Sequence, residues 1–253
     1  MTATEQAGTS APTPVLSLRG VSRSFGAARA LLDIDLDVYA HEVVAVVGDT
    51  GAGKSTLVGV LSGAQQPDEG QVLVDGSPVA LADPASARSL GIAAVFQDLA
   101  LCANLDVVEN LFLGQEVVRG SLLDEVAMEK QAWNLLGQLA ARVPSVRIPV
   151  AGLSSAQRRA VAIARSLLGE PRVILLDEPT ASLGLTQVAE FLTLVERLRA
   201  RGHAVLITSH SLSDLQAVAD RIVVLRLGRT NGEFRADHVT YEDLLAAVTG
   251  VAR

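Results

Sequence analysis

The sequence predicts an α/β fold with a mostly parallel core sheet, an antiparallel β subdomain and a helical subdomain. Three observations carry this prediction. Polar and apolar residues alternate strictly at 32–38, as in a strand with one face in water. The segment 42–47 is instead apolar and β-branched almost throughout, as in a strand covered on both faces. From 172 onward, strand-like and helix-like segments alternate.

These patterns and the turn residues place the elements in order along the chain. Strands are predicted at 15–25, 30–40, 42–47 and 71–74, and a helix at 56–61, with turns at 66–70 and 75–78. In the helical subdomain, the periodicity predicts helices at 107–113, 124–141 and 154–168. The remainder predicts strands at 172–176, 204–208 and 221–227 and helices at 185–201, 211–218 and 241–248.

The chain is expected to form one domain, because no internal repeat is visible. This domain spans 15–253, and the helical subdomain is inserted at about 100–170. The first 14 residues are rich in Thr, Ala, Ser and Pro, so we expect them to form a flexible tail.

Composition restricts the class of protein. At 253 residues the chain can bury a substantial core, and its net charge of −7 disfavours a nucleic-acid partner. No apolar run is long enough to span a bilayer, and the first residues lack the features of a secretion signal, so we expect a cytoplasmic protein. The lone Cys102 permits no internal disulfide. Arg158, Arg159 and Arg165 are interpreted as helix-surface and interface charges.

A glycine-rich loop, GDTGAGKS at 48–55, lies between a predicted buried strand and a predicted helix. Glycines let the backbone close around phosphate oxygens, and the following helix points free N–H groups at the loop. Lys54 supplies positive charge for β- and γ-phosphates, and the Ser55 hydroxyl suits Mg²⁺. The chain has only two lysines, which argues against a chance match or a silent turn. Nucleotide contacts are predicted from Gly48, Asp49, Thr50, Gly51, Ala52, Gly53, Lys54, Ser55 and Thr56.

A phosphate loop alone does not separate kinases, GTPases and transport ATPases. The segment VILLDEPTASL at 173–183 places Asp177 at the carboxyl end of an apolar strand, where parallel sheets gather their ligands. Asp177 can orient the Mg²⁺ shell, and Glu178 lies past the strand end, where it can accept a proton from water. Alternatively, the two acids only cap a strand before Pro179. The phosphate loop in the same chain favours the catalytic interpretation.

The motifs resemble those of the ATP-binding-cassette ATPases, which are P-loop NTPases, and the resemblance extends from about 15 to 248. LSSAQ at 153–157 stands where the family has its signature LSGGQ, which kinases and GTPases lack. Gln97 resembles the glutamine that senses Mg²⁺ and the γ-phosphate, and His210 the switch histidine that contacts the γ-phosphate. Phe25 stands where the family places an aromatic that stacks on adenine. The resemblance implies catalytic roles for Glu178, His210 and Gln97 and Mg²⁺ ligation by Ser55, Gln97 and Asp177.

The signature implies a second phosphate contact. Ser154 is a natural N-cap, so the helix after it offers another set of free N–H groups to phosphate. In the family this contact forms across a head-to-tail dimer, where the signature of one subunit covers ATP in the loop of the other. Ser154, Ala156 and Gln157 are therefore expected to contact ATP held by a second subunit.

Two departures from the family pattern affect the expected activity. Ser155 and Ala156 replace both signature glycines, and a Cβ there would hold the γ-phosphate away from the helix terminus. The cost is small if the backbone is helical and larger if it needs a positive φ, and we expect weakened but retained ATPase activity. Gly184 stands where most of the family carries an aspartate. This glycine and the segment 95–114 resemble the monosaccharide-importer branch.

The leading functional hypothesis is an ATP-hydrolysing subunit that powers a membrane importer for a simple sugar. The resemblance implies integral-membrane permease subunits docked between Gln97 and the helical subdomain, a second ATPase subunit and, indirectly, a sugar-binding protein. The chain would then lie at the cytoplasmic face of the cell membrane. A soluble cassette acting on DNA or ribosomes, a regulatory cassette with weak ATPase activity and a transporter of another substrate or direction remain as alternatives. Neither the sugar nor the choice between homodimer and heterodimer follows from the sequence.

Overall fold

The computed structural model describes residues 12–181 and 183–251, apart from the side chain of residue 213. Most of the predicted tail, residues 1–11, lies outside the described residues. The strands are β1 Leu16–Phe25, β2 Ala28–Val38, β3 Val43–Val47, β4 Glu69–Val74, β5 Ser77–Val79, β6 Ile92–Val95, β7 Val118–Arg119, β8 Leu122–Leu123, β9 Val173–Leu176, β10 Ala204–Ser209, β11 Arg221–Arg226 and β12 Arg229–Arg235. The α-helices are α1 Lys54–Leu61, α2 Pro84–Ser89, α3 Val107–Phe112, α4 Glu125–Gln138, α5 Ser155–Ser166, α6 Leu185–Ala200, α7 Leu212–Gln216 and α8 Tyr241–Thr249. Within the described ranges, no helix is both long and apolar enough to cross a membrane.

The fold is organised around a six-stranded sheet with the order β12-β11-β3-β10-β9-β6. Neighbouring strands from β11 to β6 run parallel, and β12 joins the edge in antiparallel register. All five residues of β3 are buried, and they alternate between two hydrophobic clusters, one on each face. The predicted mostly parallel core sheet and its central, doubly covered strand are therefore confirmed. Because parallel strands end at one edge, the residues after β3, β9 and β10 meet there.

A four-stranded antiparallel sheet covers one face of the core. Its order is β2-β1-β4-β5, and its buried residues share a cluster with α1 and with alternate residues of the core strands. Leu16 pairs with Val38 on one side and with Val74 on the other, and all three side chains are buried. The backbone N–H of Leu32 donates to the carbonyl oxygen of Gly228 at 2.7 Å, which ties β2 to the turn between β11 and β12.

The helical subdomain packs on the opposite face of the core sheet, where α3, α4 and α5 contribute apolar residues to one cluster. Asn110 of α3 is fully buried, and its side chain bonds the backbone of the loop before the helix. It accepts from the N–H of Cys102 at 2.7 Å and donates to the carbonyl oxygens of Leu105 and Asp106. The buried Asn110 amide thereby has hydrogen-bond partners for both its oxygen and its nitrogen, as a buried polar group requires.

The structure corrects the predicted boundaries and adds elements that the patterns do not indicate. The added elements are β5, α2, β6, the β7–β8 hairpin and β12. Only Ala87 is buried in α2, and β12 exposes most of its side chains, so neither shows a clear hydrophobic period. The helix predicted at 124–141 ends at Gln138, because Ala140 adopts a left-handed conformation with φ 52°.

Of the three arginines interpreted as helix-surface and interface charges, Arg159 does not lie at the helix surface, and the interface role stays a prediction. Arg159 is only 8% exposed. Arg165 is half-buried and donates to the carbonyl oxygens of Leu99, at 2.8 Å, and Ala100, at 2.9 Å. A long aliphatic stem allows such burial, which a charge-based interpretation of the sequence misses. Arg165 thereby ties α5 to the loop that follows β6.

Candidate functional site

The phosphate loop, residues 48–55, follows β3 at the carboxyl edge of the core sheet, as the sequence predicts. Gly53 has φ 107°, and a Cβ on it would lie 2.3 Å from the carbonyl oxygen of Ala30. The loop therefore packs against the antiparallel sheet with no room for a side chain at this position. α1 begins directly afterwards, and no side chain caps its N-terminus. Its first N–H groups are open to a ligand, which favours an anion.

Lys54 is buried at the base of this loop and is 6% exposed. Its Nζ donates to the carbonyl oxygens of Gly48 and Asp49, at 2.9 Å and 3.1 Å. The same Nζ lies 3.3 Å from Glu178 Oε1. An ammonium group this deeply buried requires oxygen partners. Phosphate oxygens have the same chemistry and suit the same position.

Asp177 lies directly after β9 and is buried. Its Oδ1 accepts from Thr208 Oγ1 at 2.7 Å and from Ser55 Oγ at 3.3 Å. Thr208 is fully buried in β10, and its Oγ1 also accepts from the backbone N–H of Glu178 at 2.9 Å. One hydroxyl therefore holds the side chain of the first acid and the backbone of the second. Thr208 is not among the residues predicted from the sequence, where its only signal is a hydroxyl inside an apolar strand.

Glu178 adopts a left-handed backbone conformation with φ 47°, which is uncommon for a residue with a side chain. Its carboxylate lies between Lys54 and His210, with Oε2 at 2.8 Å from His210 Nδ1. The Glu178 side chain is 12% exposed and the His210 side chain 62% exposed. The carboxylate is thus screened from bulk water but open towards the cleft, as a proton acceptor needs to be.

A cleft of about 500 Å³ brings the predicted groups together. It is lined by Lys54 and Ser55 of the phosphate loop and by Gln97, Glu178 and His210, which come from three other segments. The loop residues Thr50, Gly51, Gly53 and Thr56 also line it, whereas Gly48, Asp49 and Ala52 do not. A volume of this size suits a small organic ligand.

The residues predicted to hold Mg²⁺ fit that ion by their chemistry. Ser55, Asp177 and Gln97 offer a hydroxyl, a carboxylate and an amide oxygen, which are hard oxygen ligands. Among the described residues, no cluster of three or more His, Cys, Asp or Glu side chains could hold a metal ion. A single carboxylate beside a phosphate loop matches Mg²⁺ bound through substrate phosphates rather than by a protein cage.

The signature lies at the start of α5, and Ser154 is its N-cap as predicted. The Ser154 hydroxyl accepts from Gln157 N–H at 3.2 Å, and Gln157 Oε1 accepts from Ser154 N–H at 2.9 Å, which forms a capping box. Ser155 and Ala156 belong to the helix, and neither has a positive φ. Their side chains therefore impose no backbone strain. The costlier possibility, a positive φ at these two positions, does not occur.

The signature residues do not line the cleft of the phosphate loop. Ser154, Ala156 and Gln157 line a separate cavity of about 540 Å³ between α5, α6 and residues 139–142. We call this the signature cavity. Gly184 caps α6 with φ −76° and open space at its Cβ position, so the backbone does not require glycine there. The predicted contacts to ATP across a dimer remain predictions.

Phe25 also lies outside the cleft lining. It ends β1 and pairs with Ala28, two residues before Ala30, which lines the cleft. Its ring is 47% exposed and carries the Arg23 guanidinium 5.0 Å from the ring centroid. An exposed ring near the cleft entrance is compatible with base stacking, and this role remains a prediction.

Thr208→Val is expected to reduce kcat for ATP hydrolysis at least about tenfold, which corresponds to about 1.4 kcal/mol of lost transition-state stabilisation. The isosteric change removes the shorter of the two hydrogen bonds to Asp177 Oδ1 and leaves Glu178 N–H without its acceptor. The KM for ATP should change less than the kcat, because the phosphate loop is untouched. Steady-state kinetics separates the two constants.

Thr208→Ser is the matched control, because it keeps the hydroxyl and should retain most of the activity. A valine variant that folds and turns over ATP at the parental rate would show that the hydroxyl does not position the two acids.

Comparison with known proteins assigns the family. The ABC transporter family model matches residues 31–181. A xylose/arabinose import ATP-binding protein of Sulfolobus acidocaldarius is 38% identical over 94% of this chain and 95% of its own length. A fructose import ATP-binding protein of Rhizobium meliloti is 38% identical, over 94% of each chain. A ribose import ATP-binding protein of Streptomyces avermitilis is 39% identical over 94% of this chain and 47% of its own length.

Solved structures agree with this assignment. The ATP-binding cassette MJ1267 of an ABC transporter superposes with a TM-score of 0.81 at 26% identity, over 93% of this chain and 95% of its own. The cassette MJ0796, in a dimeric post-hydrolysis structure with ADP and phosphate, superposes with a TM-score of 0.74 at 26% identity, over 87% of this chain and 98% of its own. The predicted resemblance is confirmed, and the chain belongs to the ABC transporter family as one of its ATPase cassettes.

Proposed function

We propose that this chain is the ATP-hydrolysing subunit of an ABC importer for a simple sugar. The observation that carries the proposal is the near full-length match, at 38% identity, to two proteins named as sugar import ATP-binding proteins. The cleft independently supports the ATP-hydrolysing part of the proposal, because a buried lysine, a carboxylate and a histidine converge beside a phosphate loop. Together these features suit binding and hydrolysis of a nucleoside triphosphate.

ATP is expected to bind with its phosphates against the N-terminus of α1. Lys54 Nζ then exchanges Glu178 Oε1, now 3.3 Å away, for β- and γ-phosphate oxygens. This exchange frees the Glu178 carboxylate to accept a proton from the attacking water. His210, bonded through Nδ1 to Glu178 Oε2, holds that carboxylate in place and presents its other face to the γ-phosphate.

Ser55, Asp177 and Gln97 would hold Mg²⁺ beside the phosphates. The ion, when bound, supplies positive charge that offsets charge developing on the phosphate oxygens. Thr208 keeps the Asp177 carboxylate oriented through the 2.7 Å bond between Oγ1 and Oδ1. Gln97 follows β6 of the core sheet and precedes the helices of the helical subdomain, so its amide would move if the two shift relative to each other.

A second ATPase subunit would complete the site. The signature cavity lies apart from the phosphate loop of the same chain, which suits a contact to ATP held by another copy. A relative at 26% identity is described as a dimer, MJ0796. Phe25 would stack on the adenine, and hydrolysis would release the two subunits. The permease subunits would dock between Gln97 and the helical subdomain, which places the chain at the cytoplasmic face of the membrane. A sugar-binding protein is expected as an indirect partner.

Sugar uptake by cells tests the proposal. Deleting the gene in its own organism should abolish uptake of one radiolabelled sugar from a panel of xylose, arabinose, ribose and fructose. The parental gene should restore uptake, and a Glu178→Gln gene at equal protein level should not. Unchanged uptake of every sugar after deletion, or full rescue by the Glu178→Gln gene, would contradict the proposal.

A further inference from the structure

Among the described residues, Arg159 is a largely buried cation that has neither a hydrogen-bond nor a salt-bridge partner. Its side chain lies on α5 and is 8% exposed, and Nη1 is enclosed without a hydrogen bond. No ion pair joins Arg159 to a carboxylate among the described residues. Burial lowers the pKa of Arg159, yet a guanidinium stays protonated in proteins. A buried charge that nothing neutralises destabilises the fold, so its presence needs an explanation.

The neighbouring arginines differ in this respect. Arg165 donates to two backbone carbonyl oxygens, and Arg158 donates to the carbonyl oxygen of Leu153 at 2.9 Å. Their burial is therefore compensated within the chain. Of the three arginines, Arg159 alone has no hydrogen-bond acceptor among the described residues.

The side chain of Arg159 faces the signature cavity. It lines this cavity together with Ser154, Ala156 and Gln157, and it also lines a smaller cleft beside Ser155. Helical side chains lean towards the N-terminus, so a residue one turn after Ser155 covers the first turn of the helix. The guanidinium thus lies next to the N-terminus of a twelve-residue helix.

Charge around the cavity favours an anion as the occupant. Arg142 is a second cation in the lining, and Glu190 on α6 is the one acid among the described lining residues. The free N–H groups of α5 add the positive end of the helix dipole. A volume of about 540 Å³ accommodates a phosphate chain together with part of its nucleoside.

We propose that Arg159 is an anion-binding residue of the signature cavity and contacts the phosphates of a nucleotide carried by the phosphate loop of a second copy. This inference rests on the proposed function, since it requires the ATP-bound dimer. Ser155 and Ala156 crowd the helix terminus where glycine would let phosphate approach, and a guanidinium reaches past them with a charge-assisted hydrogen bond. Arg159 thereby compensates for the altered signature.

The test uses the full-length Glu178→Gln protein, which should accumulate an ATP-bound dimer, as the parent. Arg159→Met in this parent should raise the ATP concentration for half-maximal dimerisation at least tenfold, measured by analytical ultracentrifugation. Binding of a fluorescent ATP analogue to the monomer should change less than twofold. The nucleotide-free Tm should stay level or rise by about 2–4 °C, because methionine removes an uncompensated charge from an apolar site.

Two variants serve as controls. Arg197→Met removes an equal charge from the exposed surface of α6 and should leave dimerisation unchanged. Arg159→Lys keeps a charge but not the planar fork, and should restore dimerisation in part.

Three outcomes would overturn the inference. Equal dimerisation of parent and Arg159→Met at every ATP concentration would exclude the contact while leaving the proposed function intact. A Tm that falls by more than about 4 °C would mark Arg159 as a structural group. The third outcome combines two results: the parent does not dimerise with ATP, and inorganic phosphate raises the Tm of the parent but not that of Arg159→Met. In that case Arg159 binds a free anion, and the dimeric site is refuted.

Discussion

Glu178→Gln is expected to lower ATP turnover by about 10²–10⁴-fold, the range typical for loss of a general base. Glutamine has the same shape but cannot accept the proton of the attacking water. The phosphate loop remains intact, and Lys54 keeps its bonds to the carbonyl oxygens of Gly48 and Asp49. ATP affinity should therefore stay within a few-fold of the parent. Phosphate release gives the turnover, and titration with a fluorescent ATP analogue gives the affinity.

Glu196→Gln is the matched control, because Glu196 is exposed on α6. It makes the same chemical change outside the cleft and should retain parental turnover. Backbone strain should not affect the comparison of the two variants, because Glu178→Gln keeps the φ of 47° that glutamate has at this position. Turnover by Glu178→Gln within a few-fold of the parent would assign the general base to another group.

Gly53→Ala should weaken nucleotide binding strongly. We expect the Kd to rise at least about 100-fold, equivalent to about 2.7 kcal/mol. The added Cβ would lie 2.3 Å from the carbonyl oxygen of Ala30 and 3.0 Å from Leu31 Cδ2. Backbone atoms at this distance must shift, which moves the start of α1 and its free N–H groups. The positive φ of 107° adds strain of about 1–3 kcal/mol. Nucleotide titration and thermal unfolding measure the two effects.

Variants of two other glycines separate the effect of the steric contact from the effect of backbone strain. Gly51→Ala has no protein atom within 4 Å of the new Cβ but a φ of 81°, so thermal unfolding should show backbone strain without a clash inside the protein. Gly184→Ala has both open space and a φ of −76°, and should behave as the parent. If Gly53→Ala binds nucleotide as tightly as Gly51→Ala, the contact with Ala30 does not define the loop.

The phosphate loop, the paired acids and the parallel core could be predicted from the sequence because each depends on neighbouring residues. The apolar run before Gly48 and the run before Asp177 mark the strands, and the residues that follow must lie at their carboxyl ends. The order of the strands could not be derived in this way. Register between β10 and β9, with Ile207 opposite Leu176, is what places Thr208 beside Asp177.

The burial of Arg159 could not be predicted from the sequence for a different reason. The sequence around it, QRRAVAIAR, has the helical period, and arginine is usually exposed, so a surface position is the expected result. Its burial depends on how α5 packs against α6, which is a tertiary contact that no local pattern encodes. The helical backbone at Ser155 and Ala156, by contrast, agrees with the N-cap Ser154 that the sequence already indicates.

The two bonds from Arg165 to the carbonyl oxygens of Leu99 and Ala100 have a mechanical consequence. They fasten the chain two residues beyond Gln97 to the same helix whose first turn carries the signature. We therefore expect a rotation of the helical subdomain to move the loop after Gln97 together with the first turn of α5. In the proposed ATP-bound dimer, this link would couple nucleotide binding beside Gln97 to movement of the signature.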